Sequence, residues 1–362
     1  EFLDLFDKGN RGEDGTPPAE ELVRRAPVGL EGKTTKEIYR FGCTRREVEE
    51  RFRRLPRDTS VIAISSSFTY SWQTTWEVIE IAARQLPKAH IRLGGIYPSL
   101  CYEHAQGSGA HEIVAGPDPD LARQWIDLEA WRGLGTRGMA LKTSTGCNRN
   151  CSYCAVRSLE GTYEPCSRKD LFKQLDTYIA NGLRLLHLWD SDVMADREHF
   201  EEFLDFLIAR KGQLKVEVPS GFILQGFDRT IADKMKRAGL VRVIVPVETT
   251  SKKRLKEFKR VELAAEVSGA IDSARSAGFD LRDIWTVLMI AYPGQTRDQV
   301  LDDLAAMVRT GTTINIHLYT PIPSTRDFDR YGPLVAHKGL EDLDSFLFPF
   351  AEGSLSGEFL ED

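Results

Sequence analysis

The 362-residue chain has a net charge of −6, with 41% hydrophobic and 28% charged residues, a balance suited to a globular protein with two cores. The acidic excess argues against nucleic-acid binding through a general positive field, and no apolar run reaches the ~18 residues of a membrane span. No secretory signal opens the sequence, and six cysteines in so long a chain suit a reducing, cytoplasmic setting with metal or catalytic use of thiols.

The sequence opens at Glu1, and residues 2–7 read as the end of a strand, so the first domain is expected to lack earlier strands. Residues 8–18 read as loop. Residues 47–55 read as a helix whose arginines interleave with Glu47, Glu49 and Glu50, the pattern of a solvated face. Residues 61–64 form a continuous apolar run of the kind buried in parallel sheets, and 75–86 carry apolar residues at helical spacing. Strands follow at 91–95 and 112–116. This alternation predicts a Rossmann-like, doubly wound α/β domain over residues 1–135, with ligands bound beyond the carboxyl ends of its strands.

A second alternating regime begins after Gly138. Strands are expected at 139–143, 185–190, 216–219, 241–247, 284–290 and 314–319. Amphipathic helices are expected at 170–181, 197–210, 230–238, 262–277 and 297–309. Six β/α units predict a partial (β/α)6 barrel over residues 136–330, with chemistry at the carboxyl ends of the strands. Residues 331–362 are left as a tail, in which 346–350 (Phe-Leu-Phe-Pro-Phe) would cover the barrel or a partner surface.

Directly after the first of these strands comes Cys147-x3-Cys151-x2-Cys154, with Tyr153 before the last cysteine. Three thiolates in one short loop can wrap a single cluster. Four cysteines are usual for iron–sulfur clusters, so three leave one iron open to a ligand. The competing reading is structural zinc, which needs four ligands. Cys166 is the nearby candidate for a fourth and has no short-spaced partner. Cys43 and Cys101 are isolated and read as small buried hydrophobes.

Here the chain resembles the radical S-adenosylmethionine (SAM) superfamily, and the likeness spans roughly residues 138–326. The resemblance implies a 4Fe–4S cluster on Cys147, Cys151 and Cys154, whose open iron chelates the amino and carboxylate groups of SAM. The strand ends continue the likeness. Asp190 and Ser191, with Asp192, resemble the polar motif that accepts from the cofactor's ammonium group; for Asp192 a helix cap is an equal reading. Ser220 would serve a ribose or carboxylate, or simply a turn. Glu248 ends an apolar run and resembles a cofactor-contacting glutamate, since a carboxylate there is costly to bury without a partner. Arg260 stands where the family often carries a basic residue on the cofactor carboxylate, although four nearby lysines equally suit a solvated face. Residues 291–296 resemble a Gly-x-Pro-Gly-x-Thr stretch with Ala291 in place of Gly. Residues 320–325 resemble Thr-Pro-x-Pro-Gly-Thr with Ser324 in place of Gly.

Residues 59–118 resemble the cobalamin-binding domain of one subgroup, on Ser67, Thr69 and Tyr70 after one strand and Gly94, Gly95 and Tyr97 after the next. The Asp-x-His-x-x-Gly of a cobalt-ligating histidine is absent, and His104 reads as a surface helix residue. The resemblance implies generation of a 5′-deoxyadenosyl radical, with cobalamin-dependent methyl transfer or related carbon-centred chemistry. Alternatives are a radical SAM enzyme without cobalamin, performing oxidation, rearrangement or cyclisation, and a zinc-stapled interaction module. A methylthiotransferase is disfavoured, because that group needs a second set of three cluster cysteines. The substrate, a small molecule or peptide, is not legible; an electron donor such as flavodoxin or ferredoxin is implied.

Overall fold

The computed structural model describes residues 21–32, 34–40, 43–117, 125–210, 212–260, 264–352 and 355. The expectations for residues 2–18 lie outside them. The chain divides into two compact units, Glu1–Asp118 with Thr320–Asp362, and Pro119–Tyr319.

In the first unit, strands β1 (Glu21–Val28) and β2 (Thr34–Arg40) form an antiparallel hairpin not expected from the sequence. A helix follows at Arg45–Arg54, started by a capping box between Thr44 and Glu47. Its arginines pair with acids, as in Arg45–Glu77 (2.9 Å) and Arg53–Glu49 (3.1 Å). Strands β3 (Val61–Ser65), β4 (His90–Gly94) and β5 (Glu112–Ile113) lie parallel in that order, with helix Trp72–Gln85 crossing over between the first two. Val48 and Phe52 share one apolar cluster with Ile62, Val78, Ile79, Ile91 and Leu93. Val61, Ala63, Ser65, His90 and Glu112 are exposed. The described helices pack on the face of this sheet that carries Ile62, Ile91 and Leu93. The segment 346–350 packs within its own unit: Leu347, Phe348 and Phe350 are buried, and Gly29 N donates to Leu347 O at 2.9 Å.

The second unit holds the expected six parallel strands: β6 (Gly138–Leu141), then, after a two-stranded ribbon of β7 (Ser144–Thr145) and β8 (Glu164–Pro165), β9 (Leu185–Leu188), β10 (Lys215–Glu217), β11 (Val243–Glu248), β12 (Ile284–Ile290) and β13 (Thr313–Leu318). The orders β6-β9-β10 and β11-β12-β13 make two parallel sheets, joined by a parallel bridge between Val216 and Leu240. Helices Arg168–Ala180, Arg197–Ile208, Arg229–Arg237, Ala264–Ser276 and Arg297–Val308 alternate with the strands. Ser167, Asp196, Asp228 and Thr296 cap four of them, each accepting a backbone N–H in the first turn. Strand residues Leu186, Leu188, Val216, Val243, Val245 and Ile284 pack with helix residues such as Leu175, Phe203, Met235 and Ile271 in one core. The sequence-expected partial barrel is therefore present, and the polar strand exits emerge at its carboxyl ends.

Candidate cofactor site at the strand ends

The cysteine loop leaves the end of β6 through Thr143 and Ser144, each 1% exposed. Gly146 turns it at φ +71°, where an added Cβ would stand 2.2 Å from Thr162 O, so only glycine fits. Arg149 N donates to Cys147 Sγ at 3.3 Å, the kind of backbone contact that favours a ligating thiolate. Cys147 and Cys151 are half-buried and Cys154 is exposed. Burial pushes the Cys147 thiol up, and the protein packed behind Cys154 pushes that thiol up to about 11. Among the described residues, no three His, Cys, Asp or Glu side chains close on one point as ligands of a single ion.

Asp190, at the exit of β9, is fully buried. Both its oxygens accept from Thr143 N (3.0 Å), and one also accepts from Thr143 Oγ1 (2.8 Å) and Ser144 Oγ (2.6 Å). Asp190, expected to receive the cofactor's ammonium group, has these partners around its carboxylate. Its carboxylate anchors the entry to the cysteine loop. His199 adds a second tie, its Nε2 lying 3.1 Å from Thr143 O. Ser191 donates to Glu160 Oε2 (3.1 Å), which also accepts from Gly146 N (3.0 Å), while Lys142 pairs with the other oxygen. Burial alone would raise the Glu160 carboxyl, but these partners hold it below its ordinary range.

Asp192 is not a helix cap; Asp196 caps the helix that follows. Asp192 is 3% exposed and accepts from Met194 N (3.1 Å) and Ile223 N (3.2 Å). Burial raises its pKa, while those N–H groups and the charges of Arg149 and Arg260 pull it back. Ser220 is exposed in the turn after β10.

Glu248 ends β11 at a register shift, in the left-handed region at φ +62°. Tyr153 OH donates to its Oε1 at 2.9 Å, and Arg260 Nη1 lies 3.8 Å from the same oxygen. Arg260 is not on a solvated face. Its side chain is 9% exposed, and Nη2 donates to Pro246 O at 3.0 Å. Burial, then Glu248, hold the Tyr153 hydroxyl well above its usual range, so it remains a donor. Ser152 N donates to Phe258 O at 3.1 Å, fastening the loop to the segment between β11 and Arg260. Tyr153, Phe258, Tyr292 and Tyr319 then form an edge-to-face series with centroids 5.3, 4.6 and 4.8 Å apart, reaching from the cysteine loop to the end of β13. At the two exits where glycine is absent, Ala291 and Ser324 still adopt φ +61° and +65°.

In the first unit, Ser67 is exposed, Thr69 is 7% exposed and Phe68 stacks on Tyr70 at 5.2 Å. Burial pushes the Tyr70 hydroxyl up to about 12. Gly94 ends β4 and Gly95 follows it, where an added Cβ would meet Ser66 O at 2.5 Å. Tyr97, expected at the ligand end of the sheet, has its hydroxyl engaged inside the unit. It is fully buried, accepting from Trp76 Nε1 (3.0 Å) and bonded to His104 Nδ1 (2.7 Å). His104 is correspondingly no free surface histidine; its ring packs on Trp72 and Trp76.

Sequence reasoning passed over Glu160 and Asp303. Asp303 had a signal, since it falls between Val300 and Met307 on the buried stripe of its helix.

Residues 141–307 match the model of the Radical SAM superfamily. The ribosomal protein uS12 methylthiotransferase RimO of Prosthecochloris aestuarii is 30% identical over 184 residues, covering 46% of this chain and 40% of that protein. A tRNA-2-methylthio-N(6)-dimethylallyladenosine synthase of a Nocardioides species is 23% identical, covering 45% of this chain and 34% of its own length. The chain thus spans well under two thirds of these curated relatives. Among solved structures, the radical SAM methyltransferase TsrM of Kitasatospora setae, with cobalamin and a [4Fe-4S] cluster bound, superposes with a TM-score of 0.67 at 15% identity, covering 81% of this chain and 70% of that one. The cobalamin-dependent radical SAM enzyme OxsB gives 0.60 at 14% identity, covering 83% and 50%. These likenesses, at such low identity, speak for the fold. The match over residues 141–307 assigns that segment to the radical SAM superfamily, and the solved structures share the fold of the chain around it.

Proposed function

We propose that the chain is a radical SAM enzyme of the cobalamin-dependent kind, transferring a methyl group to an unactivated carbon or performing related carbon-centred chemistry. The observation that carries this reading is the meeting of the cysteine loop with Glu248, Tyr153 and Arg260 at the carboxyl ends of one parallel β/α unit. Cys147, Cys151 and Cys154 would hold the 4Fe–4S cluster. Zinc requires ligands that converge on one ion, whereas a cluster spreads its thiolates over separate irons, which suits this loop better. When bound, the cluster supplies the electron that breaks a carbon–sulfur bond of SAM.

The chain's own residues do the positioning. Glu248 presents an acceptor for the cofactor's ammonium or ribose donors, and Tyr153 and Arg260 orient that carboxylate. Arg260 carries the charge that a cofactor carboxylate would seek, Asp192 offers a second buried acceptor, and Ser220 a hydroxyl. Asp190 and Ser191 hold the loop in shape through Thr143, Ser144 and Glu160.

In the first unit, exposed Ser67 and Phe68, with Thr69, Tyr70, Gly94 and Gly95, lie at the carboxyl ends of β3 and β4, where a cobalamin would bind in such a sheet. The fold likeness to TsrM and OxsB supports this. His104, committed to Tyr97 and two tryptophans, is not offered to cobalt. A one-electron donor of the flavodoxin or ferredoxin type is part of the reading, as is a reducing, cytoplasmic setting. No described helix is long and apolar enough to cross a membrane.

Methylthio transfer, the activity named for the curated relatives, finds less support in these residues. Beyond the loop, Cys43 and Cys101 pack against the first unit's apolar core, and Cys166 Sγ donates to Lys142 O.

The test is anaerobic reconstitution with iron and sulfide in the presence of hydroxocobalamin. The expected product is brown and keeps cobalamin through desalting. A brown protein that cleaves SAM but loses cobalamin would instead indicate the cobalamin-free radical reading. A colourless protein with one bound zinc would overturn both.

A further inference from the structure

The chain bends at Glu248 into a conformation that a glutamate seldom adopts. With φ +62° at Glu248, Thr249 N donates back to Val247 O at 2.8 Å, closing a three-residue turn of the strained hand. The turn coincides with the register shift between Pro246 and Glu248 against β12, a device that re-aims a side chain at a strand end. Such a residue persists only where its surroundings over-determine it.

Tyr153 and Arg260 hold the Glu248 carboxylate, and one further side chain holds the backbone that follows it. Asp303, 3% exposed on helix Arg297–Val308, accepts from Thr249 Oγ1 (2.8 Å), Thr250 N (2.7 Å) and Thr250 Oγ1. Thr249 Oγ1 in turn accepts from Ser251 N at 3.1 Å, and Ser251 caps the next helix. A buried carboxylate is thus spent on the two residues that follow Glu248, with three charge-assisted hydrogen bonds. On the same buried stripe of its helix, Val300 and Met307 bury apolar groups.

We propose that Asp303 is a positioning residue for SAM. It holds the Glu248 turn in its strained form and so keeps the Glu248 carboxylate on Tyr153 and beside Arg260. This rests on the reading of Glu248 as a cofactor contact, and the experiment separates the two ideas. Asp303→Asn, Glu248→Gln and the double variant are reconstituted anaerobically, and SAM affinity is measured by equilibrium binding. In parallel, the crystal structure of the Asp303→Asn chain is determined.

Asp303→Asn is expected to weaken SAM binding about tenfold in the parent but less than twofold in the Glu248→Gln background, since its effect passes through Glu248. In the crystal, Glu248 should leave the left-handed region and release Tyr153. Thr250→Ala, which removes one of the three bonds, should give a smaller loss in the same direction and guards against a poorly folded Asp303 variant. An equal loss in both backgrounds, or an unchanged Glu248 turn in the Asp303→Asn crystal, would overturn the proposal. If Glu248→Gln alone leaves SAM affinity unchanged while the turn relaxes in Asp303→Asn, the positioning role stands and the cofactor reading of Glu248 fails.

Discussion

Replacing Asp190 should destabilise the second unit and deprive the cysteine loop of its anchor. The carboxylate is fully buried and accepts from one backbone N–H and two hydroxyls, on residues that are themselves 1% exposed. In Asp190→Ala the hydroxyls can rotate toward other acceptors, but the Thr143 N–H cannot. An orphaned buried donor costs ~1–3 kcal/mol, and each lost bond to a charged acceptor ~1.5–3 kcal/mol, offset by relief of the carboxylate's own desolvation. The net is about 3 kcal/mol for Asp190→Ala. Asp190→Asn, which keeps one acceptor oxygen but points an amide at the others, should cost about half as much. For a unit of this size, ~3 kcal/mol lowers the melting temperature by roughly 6–12 °C. Thermal unfolding followed by circular dichroism reads the first effect, and iron content after anaerobic reconstitution reads the second. The alanine variant should take up less iron than the asparagine variant, and both less than the parent. If Asp190→Ala melts within about 2 °C of the parent and loads iron fully, the anchoring argument is wrong.

Two further outcomes follow from local geometry. Ser324 sits exposed at φ +65°, and its Oγ donates to Leu100 O at a long 3.3 Å, so Ser324→Gly should stabilise the chain by ~0.5–1 kcal/mol, visible as a higher urea midpoint; a lower midpoint would show that the serine's contacts outweigh the backbone strain. Glu160 is held below its usual pKa despite burial, by Lys142, Gly146 N and Ser191. A depressed carboxyl contributes stability above its unfolded value, near 4.5, that is lost as pH falls through its folded value. The parent should therefore lose stability more steeply than Glu160→Gln between about pH 5 and 3, and parallel curves would rule this contribution out.

Much of the architecture was legible before any coordinates. The six apolar runs of the second unit fall on six parallel strands, and the helices expected from Arg197 and Arg297 start there, behind caps at Asp196 and Thr296. The cysteine spacing and Gly146 define the loop, and the two places where glycine is replaced, Ala291 and Ser324, keep the left-handed backbone that glycine ordinarily supplies. These features depend on neighbours within a few residues along the chain, so pattern and propensity suffice to read them.

What the tertiary structure decided is the employment of the polar groups. Asp190 meets Thr143 across 47 positions, Tyr153 meets Glu248 across 95, and Thr249 meets Asp303 across 54. A carboxylate after a strand reads the same in sequence whether it faces a ligand or a backbone N–H. Burial forces a choice, because each group taken out of water must find a partner wherever the fold brings one near. That requirement turned Asp190 into an anchor, drew Arg260 in from its lysine-rich surroundings, buried Tyr97 against His104, and gathered residues from Thr320 onward into the first unit.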